Sequence, residues 1–430
     1  MCHTVMLVRS FFLRAVRPVL IFPLCSIDRK NIFLGFPPLV ICRAAAARTI
    51  PTQFPVREEM EKAVGEGEDG GKKRDRSNLG ESEEAGGASK KVDPVLEFWA
   101  RKMREEDEEE RAKYPDEDWS DMLGIRARLY REDWESCYQG KYGPFHQITP
   151  IPPMRYTDEP VPIYASDQYG TLQFFSVKIR ERTEGGLQWP LHVYGIVAAR
   201  DIIDHNRNII FSRERDNCQI LTEEDPYLVL TGPTRAVVVC DPVHLEAVLK
   251  LKGSIESEDK ELSLFTEPIA SSYDERFYTC LIKSEYASRL STLELAFGYV
   301  VSSIEATINV QVTDGAWPVG FDGRFTAHTA SLKDNRAVLL DSGDGKGFVD
   351  ADGVIKLSRR VASVETDGEL TISVVAFGHD NDHKIVVRKG DEHFTPKWAG
   401  KSVGKLDVGF CKMQVTVFWS LISDLPGDYS

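Results

Sequence analysis

Apolar and polar residues alternate at every second position along much of the chain beyond residue 160. The clearest run is 243–252, where Val243, Leu245 and Leu249 alternate with largely polar neighbours. This two-residue period places the apolar side chains on one face, which is typical of a half-buried antiparallel strand. The same reasoning predicts further strands at 171–179, 190–199, 209–213, 227–230, 235–241, 261–267, 277–283, 291–300, 303–313, 324–331, 336–341, 354–364, 368–377, 384–389 and 408–421.

Turn-forming residues separate these predicted strands. Gly, Asp, Asn and Pro recur between them at intervals of roughly 8–15 residues, a spacing typical of sandwiches and barrels. The chain lacks the strand–helix alternation that would indicate a parallel doubly wound sheet. The pattern therefore predicts a mainly β fold, in the form of an antiparallel β-sandwich module.

A faint internal repeat relates residues 189–252 to residues 303–377. Both segments run from a strand through shorter strands to a long alternating strand, and Asp367-Gly368 favours a hairpin turn in the second segment. We therefore predict two tandem sandwiches, and one large sheet assembly is the alternative. The predicted domains are 150–290 and 291–425.

Two helices are predicted before the strands, within a helical segment at 93–148. Asp93 can cap the first helix and Pro94 can occupy its first turn. The second helix is predicted from Trp119 to about Tyr138. Both helices carry an apolar stripe at helical spacing, formed by Val95, Phe98, Trp99 and Met103 in the first and by Met122, Ile125, Leu129 and Trp134 in the second.

The first 92 residues differ from the rest in composition. Residues 51–92 have few large apolar side chains and are predicted to be a disordered linker. Residues 1–50 are basic and apolar, which suits either a transit peptide or a spurious extension upstream of a true start at Met60. The apolar stretches there are too short to span a bilayer. We expect an intracellular protein, cytoplasmic by default and organellar if residues 1–50 are retained.

The net charge and the absence of several sequence motifs exclude some classes of function. The net charge of −14 argues against nucleic-acid binding, because phosphate contacts need clustered Lys and Arg. The eight cysteines form no CxxC pair, which excludes a zinc ribbon and indicates reduced thiols. No GxSxG, GxGxxG or phosphate-loop motif occurs. The sequence therefore predicts no catalytic residue and no cofactor, and it leaves a protein as the expected partner.

An acidic, Gly-rich loop is the candidate metal site. Oxygen ligands on a flexible loop suit Ca²⁺, and an ion could be shared with Asp201 and Asp204 if their loop lies nearby. The EF-hand pattern fails, because Lys346 stands where that loop requires Gly. A solvated turn is the alternative, because Asp and Gly also form turns. The candidate ligands are Asp341, Asp344, Asp350 and Asp352.

Two carboxylates on predicted strands, Glu294 and Glu305, are the candidates for hydrolytic chemistry. A pair of carboxylates 5–10 Å apart could hydrolyse a glycoside, with that range an order-of-magnitude guide. The alternative is a structural role, with Glu305 in an ion pair with Arg336 or Arg359.

Two histidines four residues apart, His379 and His383, form a further candidate metal site. On a helix they would share one face and could bind zinc. Because Asp380, Asn381 and Asp382 between them are turn formers, a hairpin loop between the strands at 368–377 and 384–389 is the expected reading.

Several long blocks, beginning with WPLHVYGIVAARDIIDHNRNIIFSRERDNCQIL, resemble the plant "domain of unknown function 6598" family, found especially in grasses. The resemblance spans about 150–425 and implies a plant protein with no assigned activity and no catalytic residues to transfer. Related domains occur in chains that carry a ribosome-inactivating N-glycosidase domain, which implies a link to stress or defence. The matching blocks are 189–221, 225–243, 303–318, 354–370 and 406–421.

These observations favour a noncatalytic protein-interaction or regulatory module. A Ca²⁺- and lipid-binding module acting through the 341–352 loop is the first alternative. A hydrolase that uses carboxylates is the second.

Overall fold

The chain divides into two compact units, Met1–Trp119 and Ser120–Ser430. A computed structural model describes one residue of the first unit, Ala112, and most of the second. The predicted N-terminal extension, linker and first helix therefore lie outside the described residues. Those residues are 112, 121–161, 169–182, 186–240, 242–269, 278–343, 347–380 and 383–422.

One long helix precedes the strands. Helix α1 spans Met122–Tyr142, somewhat later than the predicted 119–138. The Asp121 side chain caps it by accepting a hydrogen bond of 3.2 Å from the Gly124 amide, and it ends at Gly143, whose φ of 85° favours glycine. No helix among the described residues is long and apolar enough to cross a membrane.

The remainder of the described chain is mainly β, as predicted. The first nine strands are β1 Gly170–Glu181, β2 Leu191–Arg200, β3 Asn208–Arg213, β4 Gln219–Leu221, β5 Val237–Val239, β6 Val243–Leu251, β7 Lys260–Ile269, β8 Cys280–Ser288 and β9 Ser291–Val300. The next eight are β10 Ser303–Gly315, β11 Asp322–Thr329, β12 Ala337–Asp341, β13 Val361–Glu365, β14 Leu370–Asp380, β15 His383–Phe394, β16 Ala399–Asp407 and β17 Cys411–Ser420.

The strands form four antiparallel sheets. Sheet I has the order β5-β1-β9-β8, and sheet II has the order β3-β2-β6-β7, with β4 beside β2. Sheet III has the order β13-β10-β17-β16, and sheet IV has the order β12-β11-β14-β15. Sheets III and IV repeat the orders of sheets I and II strand for strand, except for β4.

Two hydrophobic cores lie within these sheets. The first contains Phe174 of sheet I and Phe211 of sheet II, and the second contains Val415 of sheet III and Phe325 of sheet IV. Strand β9 pairs with β1 and β8 and contributes to the first core. We refer below to β1–β9 as the first half of the module and to β10–β17 as the second half.

Helix α1 packs on the outer face of sheet II. Trp134 is 1% exposed, and its indole N–H donates a 2.9 Å hydrogen bond to the His205 carbonyl oxygen. The buried Arg200 guanidinium lies 4.0 Å from the Phe145 ring centroid and 2.8 Å from the Glu246 carboxylate. The indole hydrogen bond and the Arg200 guanidinium, 5.3 Å from the centroid of the Trp134 ring, thus hold the helix against the sheet.

Some strand predictions were wrong in detail. Residues 227–230 form only an isolated bridge at Tyr227, and 354–360 precede strand β13 instead of belonging to it. Strand β16 was missed, because its Gly and Lys residues obscure the alternation. Asp367-Gly368 does form a turn, but it connects β13 of sheet III to β14 of sheet IV instead of forming a hairpin.

Candidate functional site

The predicted acidic loop does not form a group of ligands among the described residues. Asp341 accepts a 2.7 Å hydrogen bond from Arg324 Nε, and Asp350 Oδ1 accepts from the amides of Asp352 (3.0 Å) and Val354 (2.8 Å). Asp344 lies outside the described residues. No three His, Cys, Asp or Glu side chains in the described ranges lie close enough together to hold a metal ion.

The two candidate catalytic carboxylates occupy different environments. Glu294, on the outer face of sheet I, pairs with Arg180 at 2.8 Å and Lys178 at 3.6 Å. Glu305, at the start of β10, is buried and lines a cavity that Glu294 does not reach. They therefore do not form an acid–base pair around one cavity.

The candidate zinc histidines lie in a hairpin, as their turn-forming neighbours indicated. Strands β14 and β15 pair, with His379 opposite Lys384 and Asp380 opposite His383. The side chains of both histidines lie outside the described residues, so the zinc hypothesis stays a prediction.

A buried ion cluster lies where the two halves of the module meet. Arg235 is 5% exposed, and its Nη1 and Nη2 donate to the two oxygens of Asp201 at 2.7 and 2.8 Å. Its Nη2 also donates to Asp204 Oδ1 at 3.0 Å. Burial alone would lower the pKa of Arg235, but Asp201 and Asp204 raise it above the ordinary value. The arginine is therefore held charged in the interior.

The sequence analysis left open whether Asp201 and Asp204 could share a Ca²⁺ ion with the 341–352 loop. Asp201 and Asp204 are neutralised by Arg235, and Asp204 also accepts a 2.5 Å hydrogen bond from the Thr149 hydroxyl. Both carboxylates are thus already hydrogen-bonded to side chains of the same chain. The sequence analysis missed Arg235, although a signal was present: a lone charge between Gly-Pro-Thr and the apolar run Ala-Val-Val-Val.

Glu305 joins three segments at the same junction. Its Oε1 accepts a 2.8 Å hydrogen bond from the Met154 amide, and its Oε2 accepts one of 2.8 Å from the Ala236 amide just before β5. The predicted ion pair with Arg336 or Arg359 was wrong, because both oxygens accept from backbone amides. Burial raises the pKa of Glu305, while the two amides and Arg235 oppose the rise.

Further buried polar contacts cross the junction. Arg359, 3% exposed, donates a 2.7 Å hydrogen bond to the Phe174 carbonyl oxygen of the first half. The Gln173 side chain accepts a 2.8 Å bond from the Ser363 amide. The hydroxyls of Thr171 and Ser303 lie 2.7 Å apart. These directional contacts fix one half of the module against the other.

A small cavity of about 30 Å³ opens beside Glu305 and Arg235. A volume of this size holds about two water molecules and is far below that of ordinary ligand pockets. The Ser420 hydroxyl lines it but accepts a 3.0 Å hydrogen bond from the Tyr156 amide, and both Glu305 oxygens accept from backbone amides. The polar groups around this cavity therefore serve contacts between the two halves of the module.

Replacing Glu305 by Gln is expected to lower the free energy of unfolding by about 1–3 kcal/mol. The side-chain NH₂ of Gln would face the amide N–H of Met154 or Ala236, leaving two buried donors against each other. Urea unfolding of the full chain measures the loss. The matched control is Glu294→Gln, which removes a partly exposed carboxylate and should change stability by less than about 1 kcal/mol.

The contribution of Glu305 to the free energy of unfolding should also depend on pH. Because burial raises its folded-state pKa, the folded state binds the proton more tightly than the unfolded state does. Its stabilising contribution is therefore complete below the unfolded pKa of about 4.3 and is lost as the pH rises through the folded-state pKa. The stability difference between the wild type and Glu305→Gln should therefore shrink as the pH rises from about 4 to about 7. A difference that grows over this range would show that the pKa is lowered instead.

A second feature of interest lies on the outer face of sheet III, away from the junction. We call it the lysine face. Val403 in its centre is 56% exposed, and Lys401 and Lys405 flank it on β16. On β17, Phe418 is paired with Lys401, and the positions paired with Val403 and Lys405 carry a hydroxyl and an amide side chain. The face comprises Lys401, Val403 and Lys405 of β16, Gln414 and Thr416 of β17, and Asn309 and Gln311 of β10.

Register explains why these side chains share one side of the sheet. Met413, Val415 and Val417 point into the second core, so the intervening residues of β17 point outward. Strand β16 pairs with β17 so that Lys401 faces Phe418 and Val403 faces Thr416. Side chains of directly paired residues lie on the same face of a sheet.

The lysine face differs in charge from the equivalent face of sheet I. There, Arg180 pairs with Glu285 at 2.9 Å and with Glu294 at 2.8 Å, so the acidic and basic groups neutralise one another. On sheet III, Lys412 pairs with Asp314 at 2.9 Å. Lys401 and Lys405 have no carboxylate partner among the residues that the structure describes. Asp407 is the next outward residue of β16 after Lys405, so the outward side of this strand carries two lysines and one aspartate and is positive by one charge.

Comparison with known proteins gives one family match. The profile of the family described as "Domain of unknown function (DUF6598)" matches residues 171–417, more than half of the chain. No curated protein matches.

Solved structures with some similarity contain C2 domains. A C2 domain protein from Ramazzottius varieornatus is 14% identical, with a TM-score of 0.20, over 30% of this chain and 94% of that one. The C2A- and C2B-domains of Extended-Synaptotagmin 2 are 10% identical, also at 0.20, over 64% of this chain and 98% of that one. Their calcium-bound form is 10% identical at 0.20, over 61% and 100%. TM-scores this low add nothing to the assignment of fold or ligand.

Proposed function

The chain belongs to the domain of unknown function (DUF6598) family, and on that premise we propose that it is a noncatalytic protein-interaction module. The lysine face is its binding surface, and the buried junction holds the two halves in one arrangement. The single observation that supports this proposal is that neither Lys401 nor Lys405 forms an ion pair among the described residues, although both lie on the outward side of β16 beside the exposed Val403.

The module is best described as two tandem sandwiches. The repeated strand order and the two separate cores, each fed by two sheets, support this description. We infer that the first sandwich ends with β9 and the second begins with β10, which moves the boundary from 290 to between 300 and 303. Residues 301–302 are then the connection between the two.

An affinity comparison tests the proposed function. The full chain, a Lys401→Glu/Lys405→Glu variant and a control variant are each cross-linked to bound proteins in a cell extract. The control, Lys283→Glu/Lys333→Glu, changes the same charge at two exposed lysines away from the face. We expect a partner that the wild type and the control retain and the face variant loses. Equal retention by all three proteins would overturn the proposal.

Calcium binding through the 341–352 loop stays an untested alternative, and we expect that Ca²⁺ does not bind there. Because Arg324 neutralises Asp341 and backbone amides occupy Asp350 Oδ1, added Ca²⁺ should leave the melting temperature unchanged. Thermal unfolding of the full chain in millimolar Ca²⁺ and in chelator measures this. A rise in Ca²⁺ that Asp350→Asn abolishes would favour the calcium module instead.

Other expectations also stay predictions. The separate positions of Glu294 and Glu305 give no support to a carboxylate hydrolase. Plant origin, a role in stress or defence, and an intracellular location rest on the family resemblance and on composition alone.

A further inference from the structure

One end of the second half of the module presents apolar side chains to solvent. Val319 lies in the connection between β10 and β11 and is 102% exposed, more than any other large apolar side chain that the structure describes. A side chain as exposed as in an extended peptide makes almost no contact with the rest of the protein. Val319 therefore projects from the surface instead of lining a groove.

The local geometry of the chain explains this projection. Residues 318–321 form a β-turn, in which the Phe321 amide donates a 3.2 Å hydrogen bond to the Pro318 carbonyl oxygen. Gly320 has a φ of 82°, the conformation that a type II turn requires at its third position. Val319 thus occupies the second position, at the corner of the turn.

Contacts join this turn to two neighbouring connections. The Phe321 ring lies perpendicular to the ring of Phe410 in the β16–β17 turn, with their centroids 5.7 Å apart. A Cβ at Gly378 of β14 would lie 3.8 Å from the Phe321 ring, and Gly378 pairs with Ile385 of β15, which is 47% exposed. We call the resulting group, Val319, Phe321, Ile385 and Phe410, the apolar tip.

The charges beside the apolar tip balance one another. Residues 315–321 and 408–411 carry no charged side chain. The exposed charged side chains that adjoin these segments in the chain or lie beside Gly409 are Asp314, Arg388, Asp407 and Lys412. Asp314 and Lys412 pair at 2.9 Å, and the other two have opposite signs. The tip therefore favours an uncharged surface over an acidic or a basic one.

Some backbone groups of this end are already hydrogen-bonded within the protein. The Ala316 amide donates to the Phe410 carbonyl oxygen at 3.3 Å, and the Trp317 indole N–H donates to the Phe321 carbonyl oxygen at 2.9 Å. An unpaired backbone group is costly to transfer from water into an apolar phase. Together with the bond that closes the turn, these contacts lower the cost of burying the tip.

We propose that the apolar tip inserts into the surface of an uncharged lipid bilayer. A bilayer accepts a projecting apolar side chain without a preformed pocket, whereas a protein would need a cavity shaped to Val319. A few projecting side chains also offer far less area than the roughly 800 Å² per partner that stable protein interfaces bury. Because so few side chains insert, the binding is expected to be weak and reversible.

Flotation of the full chain with phosphatidylcholine vesicles in excess lipid tests this inference. We expect the wild type to float with the vesicles in the presence of a chelator, and added salt to change little, because insertion forms no ion pair. Val319→Asp should lower the partition coefficient at least about tenfold, since a charge replaces an inserted apolar side chain. Val319→Leu should bind at least as well as the wild type.

The matched control is Ile255→Asp. It makes the same kind of change at an apolar side chain that is 58% exposed in the first half, away from the tip, and it should float like the wild type. Val319 has almost no contacts to lose, so its variants should keep the melting temperature of the wild type.

Fluorescence shows whether the tip itself enters the bilayer. Val319→Trp should show a blue shift of the added emission with vesicles, and lipids brominated on their acyl chains should quench it. Ile255→Trp should show neither effect. Equal quenching of the two added tryptophans would contradict insertion through the tip.

The remaining outcomes separate this inference from the proposed function. No flotation of the wild type, or equal flotation of the wild type and Val319→Asp, would overturn the inference and leave the lysine face untouched. If no variant floats but Val319→Asp loses a protein captured from a cell extract, the tip contacts a protein and the lipid proposal is wrong. Flotation that requires anionic lipid and disappears in Lys401→Glu/Lys405→Glu would assign lipid binding to the lysine face instead, which also overturns insertion of the tip.

Discussion

Replacement of Arg235 by alanine is expected to lower the free energy of unfolding by about 3–5 kcal/mol, the usual cost of breaking a buried ion pair from one side. The substitution removes the cation from a site where Asp201 and Asp204 are both buried. Two carboxylates would then remain in the interior without a counter-charge, and desolvation of each destabilises the fold.

Urea unfolding of the full chain measures this loss, and two variants make the result specific. Arg180→Ala removes an arginine whose ion pairs are half-exposed, and it should cost less than about 1 kcal/mol. Asp201→Asn/Asp204→Asn in the Arg235→Ala background should recover part of the loss, because no buried charge remains unpaired. A loss for Arg235→Ala no larger than that of Arg180→Ala would contradict the role given to the junction.

Replacement of Trp134 by alanine is the second large effect that we expect, a loss of about 3–5 kcal/mol. The ring is fully enclosed and packs edge-to-face on Phe145, with their centroids 5.4 Å apart. Its removal leaves a cavity between α1 and sheet II, and it also leaves the His205 carbonyl oxygen without its indole donor. Trp398, which is 49% exposed just before β16, provides the matched control, with Trp398→Ala expected to change stability by no more than about 0.5 kcal/mol.

Amide hydrogen exchange distinguishes where the Trp134→Ala loss occurs. If α1 is held mainly by this ring, exchange should accelerate in 122–142 while β2 and β6 of sheet II stay protected. Trp134→Phe, which keeps one aromatic ring but loses the hydrogen bond and part of the packed volume, should cost less than Trp134→Ala, about 1–3 kcal/mol. Uniform acceleration across the module would show instead that α1 is part of the cooperative core.

His244 shows how closely α1 covers sheet II. Its ring lies 4.5 Å from that of Tyr130 on the helix, and burial, with Arg200 nearby, lowers its pKa to about 4. The histidine is therefore neutral at ordinary pH. In the sequence it lies on the polar side of the alternating strand 243–252, and only the docked helix makes that side an interior one.

Residue periodicity predicted the strands that are half-buried and regular. Strand 291–300 was predicted with the observed bounds, and 243–252 within one residue, because their apolar side chains alternate without interruption. Prediction failed for β16, where Gly400 and Gly404 occupy inward positions and leave no apolar alternation to detect. It also failed for the turn between β13 and β14, because the residues of a turn do not reveal which sheet the next strand joins.

The sequence by itself determined the mainly β class of the fold, because alternation and turn spacing depend on residues close together in the chain. The predicted repeat began one strand out of step, because it set β2 against β10, whereas the strand orders set β2 against β11. It did not determine the partners of Arg235, Glu305 or Glu294. Those contacts join residues 31–151 positions apart, and only strand pairing in the tertiary structure brings them together. The lysine face also depends on tertiary structure, because only the register of β16 against β17 shows that Lys401, Val403 and Lys405 point to the same side of sheet III.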